Sequence, residues 1–262
     1  MRTRSILFMT FLLGWVATSW AADQVKGNGK LTTKQITVSD YNEIKIDEVI
    51  DFYYEQSNDS ASVEVTIDQN LHQYIDIDVE DRVLTIGFTG AKVDHFTKFI
   101  VRSNSRWLSS AKLTGSGNLT INGPLTGDET TIKTDGSSVV TLKGTVKLGK
   151  LNLDANGSAN MVISYLEADE VDCDLDGSGT ITIESGKAKE ASYSSAGSTT
   201  LQAFNFEVDD VTCKMTGSSL AEVYATTSLN AQIIGKGTIQ YKGSPEVKSR
   251  VIGKGTVEQV IE

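Results

Sequence analysis

From residue 113 to the C-terminus, apolar residues fall on every second position, and each run of alternation breaks at a glycine followed by a small or basic residue. The leading glycines are Gly115, Gly136, Gly157, Gly177, Gly197, Gly217, Gly235 and Gly253, at intervals of 21, 21, 20, 20, 20, 18 and 18. Six, four and two residues before them stand sets such as Leu151, Leu153, Ala155 and Val171, Cys173, Leu175. Four and six residues after them stand pairs such as Leu119, Ile121 and Ile181, Ile183. A period of two is strand periodicity. A 20-residue repeat is too short for the paired helices of ~34- or ~40-residue repeats and matches one rung of a β-solenoid. The pattern predicts an all-β, single-stranded β-helix in which like positions stack ~4.8 Å apart.

That register makes a sharp geometric claim. Leu153, Cys173, Tyr193 and Cys213 each precede a corner glycine by four residues, so they belong to one interior file. Cys173 and Cys213 then lie two rungs apart, roughly 9 to 10 Å, beyond the ~7 Å Cα limit for a disulfide. They are expected as free, buried thiols. The repeated Gly-Ser has two readings. A phosphate cradle needs a helix N-terminus behind it, and no helix is predicted. A chain that turns at the same place in every rung needs a residue that tolerates positive φ, which accounts for every copy.

Residues 22–110 lack the glycine beat but hold strand-like runs: 43–46, 49–54, 61–67, 74–79, 83–88 and 98–102. They read either as irregular first rungs or as a small β module packed on the end of the solenoid. Either would protect a strand edge. At the far end, Glu258 and Glu262 are the charges expected to blunt the last rung.

Composition narrows the classes. The chain has 262 residues, 34 acidic and 24 basic side chains and a net charge of −10, which argues against a phosphate-neutralising nucleic-acid binder. With 23 glycines and 2 prolines it is not collagen-like. Arg2 and Arg4 precede an apolar run, and Ser19-Trp20-Ala21 supplies small residues at a cleavage position, so residues 1–21 read as a secretory signal. The rival reading, an uncleaved anchor, needs roughly 20 apolar residues. The predicted organisation is 1–21 signal, 22–110 β-rich cap or first rungs, and 111–262 solenoid of about eight rungs, exported and not membrane-inserted after cleavage.

Candidate chemistry is sparse. His72 and His95 have no partner at metal-ligand spacing, and no nucleophile elbow is present. The outward positions before the glycines gather acids: Asp135, Asp154, Asp172, Asp174 and Asp176, with Asn156 among them and Lys133 and Lys214 at the ends of one column. Stacked carboxylates ~5 Å apart are either solvated between lysines or contact a cation such as Ca²⁺ or a sugar. The nine-residue repeat of calcium-binding β-rolls is missing, and no cofactor is required. The outward positions after the glycines form a polar ladder of Thr120, Thr141, Thr182, Gln202, Glu222, Gln240 and Glu258.

Lys26-Gly27-Asn28-Gly29, Asp81-Arg82-Val83-Leu84-Thr85-Ile86 and the Leu113-Thr114-Gly115-Ser116-Gly117 rungs resemble the "putative auto-transporter adhesin, head GIN domain" family. The resemblance implies a secreted or periplasmic Gram-negative protein with a right-handed β-helix-like fold, no established chemistry and a role in adhesion. A self-exporting autotransporter carries a C-terminal barrel, whereas here the repeats run to the last residues. The expected function is a non-catalytic envelope module presenting a polar face to a glycan or a protein. The alternative is a polysaccharide lyase or glycoside hydrolase on the same scaffold.

Overall fold

The computed structural model describes residues 24–261, so the signal reading of residues 1–21 lies outside the described residues. Nearly all of the rest is strand, wound into a stacked-coil solenoid of about eight turns. Each regular rung has a strand before the glycine corner, a strand after it and a third side that returns to the next rung. In the rung that turns at Gly177 these sides are 171–177, 180–183 and 186–188, which pair in parallel with 151–157, 160–163 and 166–168 beneath them. The register is in step along the stack. Leu153 pairs with Cys173, Cys173 with Tyr193 and Tyr193 with Cys213, the single interior file that the spacing predicts. Both thiols are free and buried, and burial pushes each up to about 12. The Tyr193 hydroxyl reaches a buried partner, Thr199 Oγ1, at 2.7 Å, and that oxygen lies 3.0 Å from Ser219 Oγ. A polar tip inside the core is tolerated because it is bonded.

The corner shows why glycine recurs. Gly177 sits at φ +116°, and a Cβ built there would come within 2.4 Å of the Gly157 carbonyl oxygen in the rung below. The same carbonyl accepts a hydrogen bond from the Ser178 N–H at 2.8 Å. Close backbone stacking is what ties one corner to the next, and a side chain would pry it open. A second series of corners, at Gly144, Gly186 and Gly243, has the same close approach to Gly123, Leu166 and Ala225. Its irregular spacing hid it from the sequence repeat.

The amino-terminal third threads out of order. Strands Glu43–Ile46 and Asp51–Gln56 pair directly with Ser110–Gly115 and Asn118–Asn122 of the first regular rung. On their other side they pair with Val83–Phe88 and Ile100–Ser105. The later segment is thus the more distal rung. Beyond it the sheets turn antiparallel: Ile75–Glu80 adds to Val83–Phe88, while Ser62–Asp68 and then Leu31–Thr37 add past Ile100–Ser105. A 3-10 helix, Gln69–Tyr74, buries Leu71 over the end of the core. One continuous apolar cluster runs from Tyr41 to Ile239.

Asp68 ties this head together. It is fully buried and accepts from Gly29 N–H at 2.6 Å, Thr97 N–H at 2.7 Å and Thr97 Oγ1 at 2.9 Å. Burial raises its pKa, but these bonds together outweigh burial and hold the carboxyl below its ordinary value. Three strands lay outside the predicted runs: Gln24–Lys26, Leu31–Thr37 and Lys92–His95. At the other end the last rung carries more charge than Glu258. Lys248 and Arg250 are exposed on Glu246–Gly253, and Glu262 lies outside the described residues.

Candidate binding faces

The five predicted acids share the outer face of the sheet before the corners, but in three neighbouring columns. Asp172 stacks on Asn152, Asp174 on Asp154, and Asp176 on Asn156, which follows Asp135. Most are already answered. Lys133 pairs with Asp154, Lys150 bridges Glu170 and Asp172 at 2.7 Å each, and Asn156 Nδ2 donates to Asp135 at 3.1 Å and Asp154 at 3.3 Å. Asp174 is the exception in charge balance: partial burial, then Asp176 and Asp154, raise its pKa despite Ser194 and Lys133. Among the described residues no group of three or more carboxylate, thiol or imidazole side chains could hold a metal ion. Three of the five acids thus sit in an internally paired polar network on an open sheet face. His72 lies in the cap, with its ring nitrogen 3.0 Å from the Thr32 carbonyl.

A third-side depression of about 500 Å³ is similarly self-neutralised. There Lys147 pairs with Glu167 at 2.8 Å and Lys189 with Asp169 at 2.6 Å.

The polar ladder after the corners leads somewhere less expected. Followed toward the head, Thr120 stacks on Tyr53, Tyr53 on Arg102, Arg102 on Glu64 and Glu64 on Gln35. A second column beside it holds Asn122, Glu55 and Asn104. With the 57–62 turn as a wall, these side chains line an open groove of about 580 Å³. The Arg102 guanidinium lies 5.3 Å from the Tyr53 ring centre and donates to Glu64 at 3.2 Å. Ser62 N–H and Oγ–H hold the Asn104 amide oxygen at 3.1 and 2.9 Å, which fixes the side chain's orientation. The groove therefore offers an aromatic ring, a guanidinium, two carboxylates and amides on one rigid sheet. Sequence reading missed it because Tyr53 and Arg102 are 49 positions apart and belong to the out-of-order rungs. The aromatic and arginine on outward strand positions were the only signal available.

The described residues thus form a β-solenoid that presents shallow, polar faces along its sides. The chain belongs to the family described as "putative auto-transporter adhesin, head GIN domain", whose profile matches residues 40–245. Solved structures similar to it include one described as a "putative adhesin from Parabacteroides distasonis ATCC 8503", 60% identical with a TM-score of 0.89 over 91% of this chain and 100% of that one. A second, a "putative adhesin from Parabacteroides merdae ATCC 43184", is 52% identical with a TM-score of 0.89 over 92% and 100%. A third, described as a "putative lipid binding protein from Parabacteroides distasonis ATCC 8503", is 34% identical with a TM-score of 0.85 over 91% and 100%. No curated protein matches the chain. Among the described residues no helix is long and apolar enough to cross a membrane.

Proposed function

We propose that the chain is exported by residues 1–21 and acts in the cell envelope as a non-catalytic binding module, holding a glycan in the head groove. The observation that supports this is the groove's chemistry. Sugar hydroxyls donate and accept at once, and Arg102, Glu55, Glu64, Asn104 and Asn122 supply both roles from planar groups. Tyr53 supplies an apolar ring for the sugar's C–H face. Lipid binding, the description of the 34% relative, finds little room inside this solenoid: the apolar void beside Cys173 and Phe206 is about 20 Å³, enough for about one water.

Calorimetry and product analysis of the purified protein against a glycan panel tests the reading. Binding without product, lost in Tyr53→Ala and Glu55→Gln, is expected. Release of reducing or unsaturated ends would mark an enzyme instead. Heat of binding that survives both substitutions would remove the groove from consideration. For export, the secreted or periplasmic protein is expected to begin at Ala22, read by N-terminal sequencing.

A further inference from the structure

The two ends of the stack carry opposite charge on the same columns. The sheet before the corners starts at the head with Ile75–Glu80, which pairs on one side with Val83–Phe88, and ends with Glu246–Gly253, which pairs on one side with the strand Leu220–Gly235. Among the described residues nothing pairs with the outer edge of either. Such edges invite strand addition unless charge or a cover blocks it. The head edge reads Ile-Asp-Ile-Asp-Val-Glu with Asp76, Asp78 and Glu80 exposed, and the tail edge carries exposed Lys248 and Arg250, with Glu246 at its start 3.2 Å from Lys248, which leaves a net positive charge on that face.

Register makes the opposition specific. The column that begins at Glu80 passes through Val83, Glu43, Ser110, Thr131 and Asn152 and ends at Lys248. The neighbouring column begins at Asp78, passes through Thr85, Lys45, Lys112 and the Lys133–Asp154 pair, and ends at Arg250. If a second copy continued the sheet in register, Lys248 would oppose Glu80 and Arg250 would oppose Asp78. The interior files match as well: half-buried Ile77 and Val79 at the head face Val251 and Ser249 at the tail, where Val247 and Val251 are still 37% and 39% exposed. Tail-to-tail pairing would set Lys248 against Arg250, and head-to-head pairing would set acids against acids. Like charges directly opposite are unfavourable.

We propose that copies of this chain associate head to tail through these edges, the tail strand Glu246–Gly253 of one adding antiparallel to Ile75–Glu80 of the next. The head is stepped, because Leu31–Thr37 extends the second sheet one strand beyond Ile75–Glu80. The joint is therefore tilted by one strand spacing, and the shorter strand Thr256–Gln259 meets Leu31–Thr37. The inference does not rest on the glycan groove: its charge pairs lie on Ile75–Glu80 and Glu246–Gly253, and the joint shares with the groove only the strand Leu31–Thr37, through Gln35 and Thr37.

Sedimentation of the full chain across a concentration series tests it. Mass is expected to rise with concentration at low salt and fall back as salt is added. Lys248→Glu with Arg250→Glu, and separately Asp78→Lys with Glu80→Lys, should each weaken self-association on the order of tenfold or more. All four positions are exposed, so far-UV circular dichroism should be unchanged. An equimolar mixture of the two variants, or one chain carrying all four changes, should associate again. A chain that stays monomeric at every concentration, variants that associate as well as the native chain, or a mixture that fails to recover would each overturn the proposal.

Discussion

Replacing Gly177 with alanine, and separately Gly115 with alanine, splits the two reasons for glycine at the corner. Both residues have positive φ, +116° and +92°, so each alanine adopts a backbone conformation costing about 1–3 kcal/mol. They differ in what the new Cβ meets. At Gly115 nothing lies within 4 Å, whereas at Gly177 the Gly157 oxygen is 2.4 Å away. Relieving that contact means lifting one rung from the next and stretching the Ser178 N–H bond to Gly157. The net hydrogen bond contributes about 1 kcal/mol, and disturbed packing of the flanking interior files about 1–3 more. Gly177→Ala should therefore lose about 3–7 kcal/mol and Gly115→Ala about 1–3, with Ser178→Ala, on the exposed ridge, near zero. Urea unfolding followed by far-UV circular dichroism, compared at equal m-values, measures the difference. Equal losses at Gly115 and Gly177 would mean that stacking of the corners plays no part and that dihedral preference alone explains the repeat.

Cys173 and Cys213, with thiols pushed up to about 12 by burial, should resist thiol reagents until the chain is unfolded, and reducing agent should not change the melting temperature; labelling of the folded protein at neutral pH would contradict the interior file. Asp68→Ala should destabilise the head by about 2–3 kcal/mol, since it strands donors that now bond a buried carboxylate. Because the folded pKa of Asp68 is depressed, its contribution is present above the ordinary carboxylate range and fades as pH falls through the lowered value, so melting curves of native and variant should converge in acid. Asp174 is shifted the other way, by burial and by Asp176 and Asp154, so its ionised form costs stability at neutral pH. Asp174→Asn should raise stability there by roughly 0.5 kcal/mol or less, a gain that disappears as pH falls through the raised pKa.

How far the amino acid order alone reaches can be judged from single residues. Leu153, Cys173, Tyr193 and Cys213 could be placed in one file because parallel rungs in step convert sequence spacing directly into spatial stacking. The free thiols follow from the same local arithmetic, whereas the family rests on the resemblance of stretches such as Leu113-Thr114-Gly115-Ser116-Gly117. Asp154 and Asp174 were placed correctly on the outer face, but Lys150, which bridges Asp172 and Glu170, stands at the bend between the third side and the strand before the corner and was invisible to a two-strand reading. The head obeys no period. Its hairpin at Asp81-Arg82, its 3-10 turn and the insertion of 43–56 between 83–105 and the first regular rung depend on which apolar edge is left open once the other strands have packed. That choice is made by long-range burial, not by neighbours in the chain. It alone brings Tyr53 beside Arg102 and sets the acidic head edge on the same columns as the basic tail.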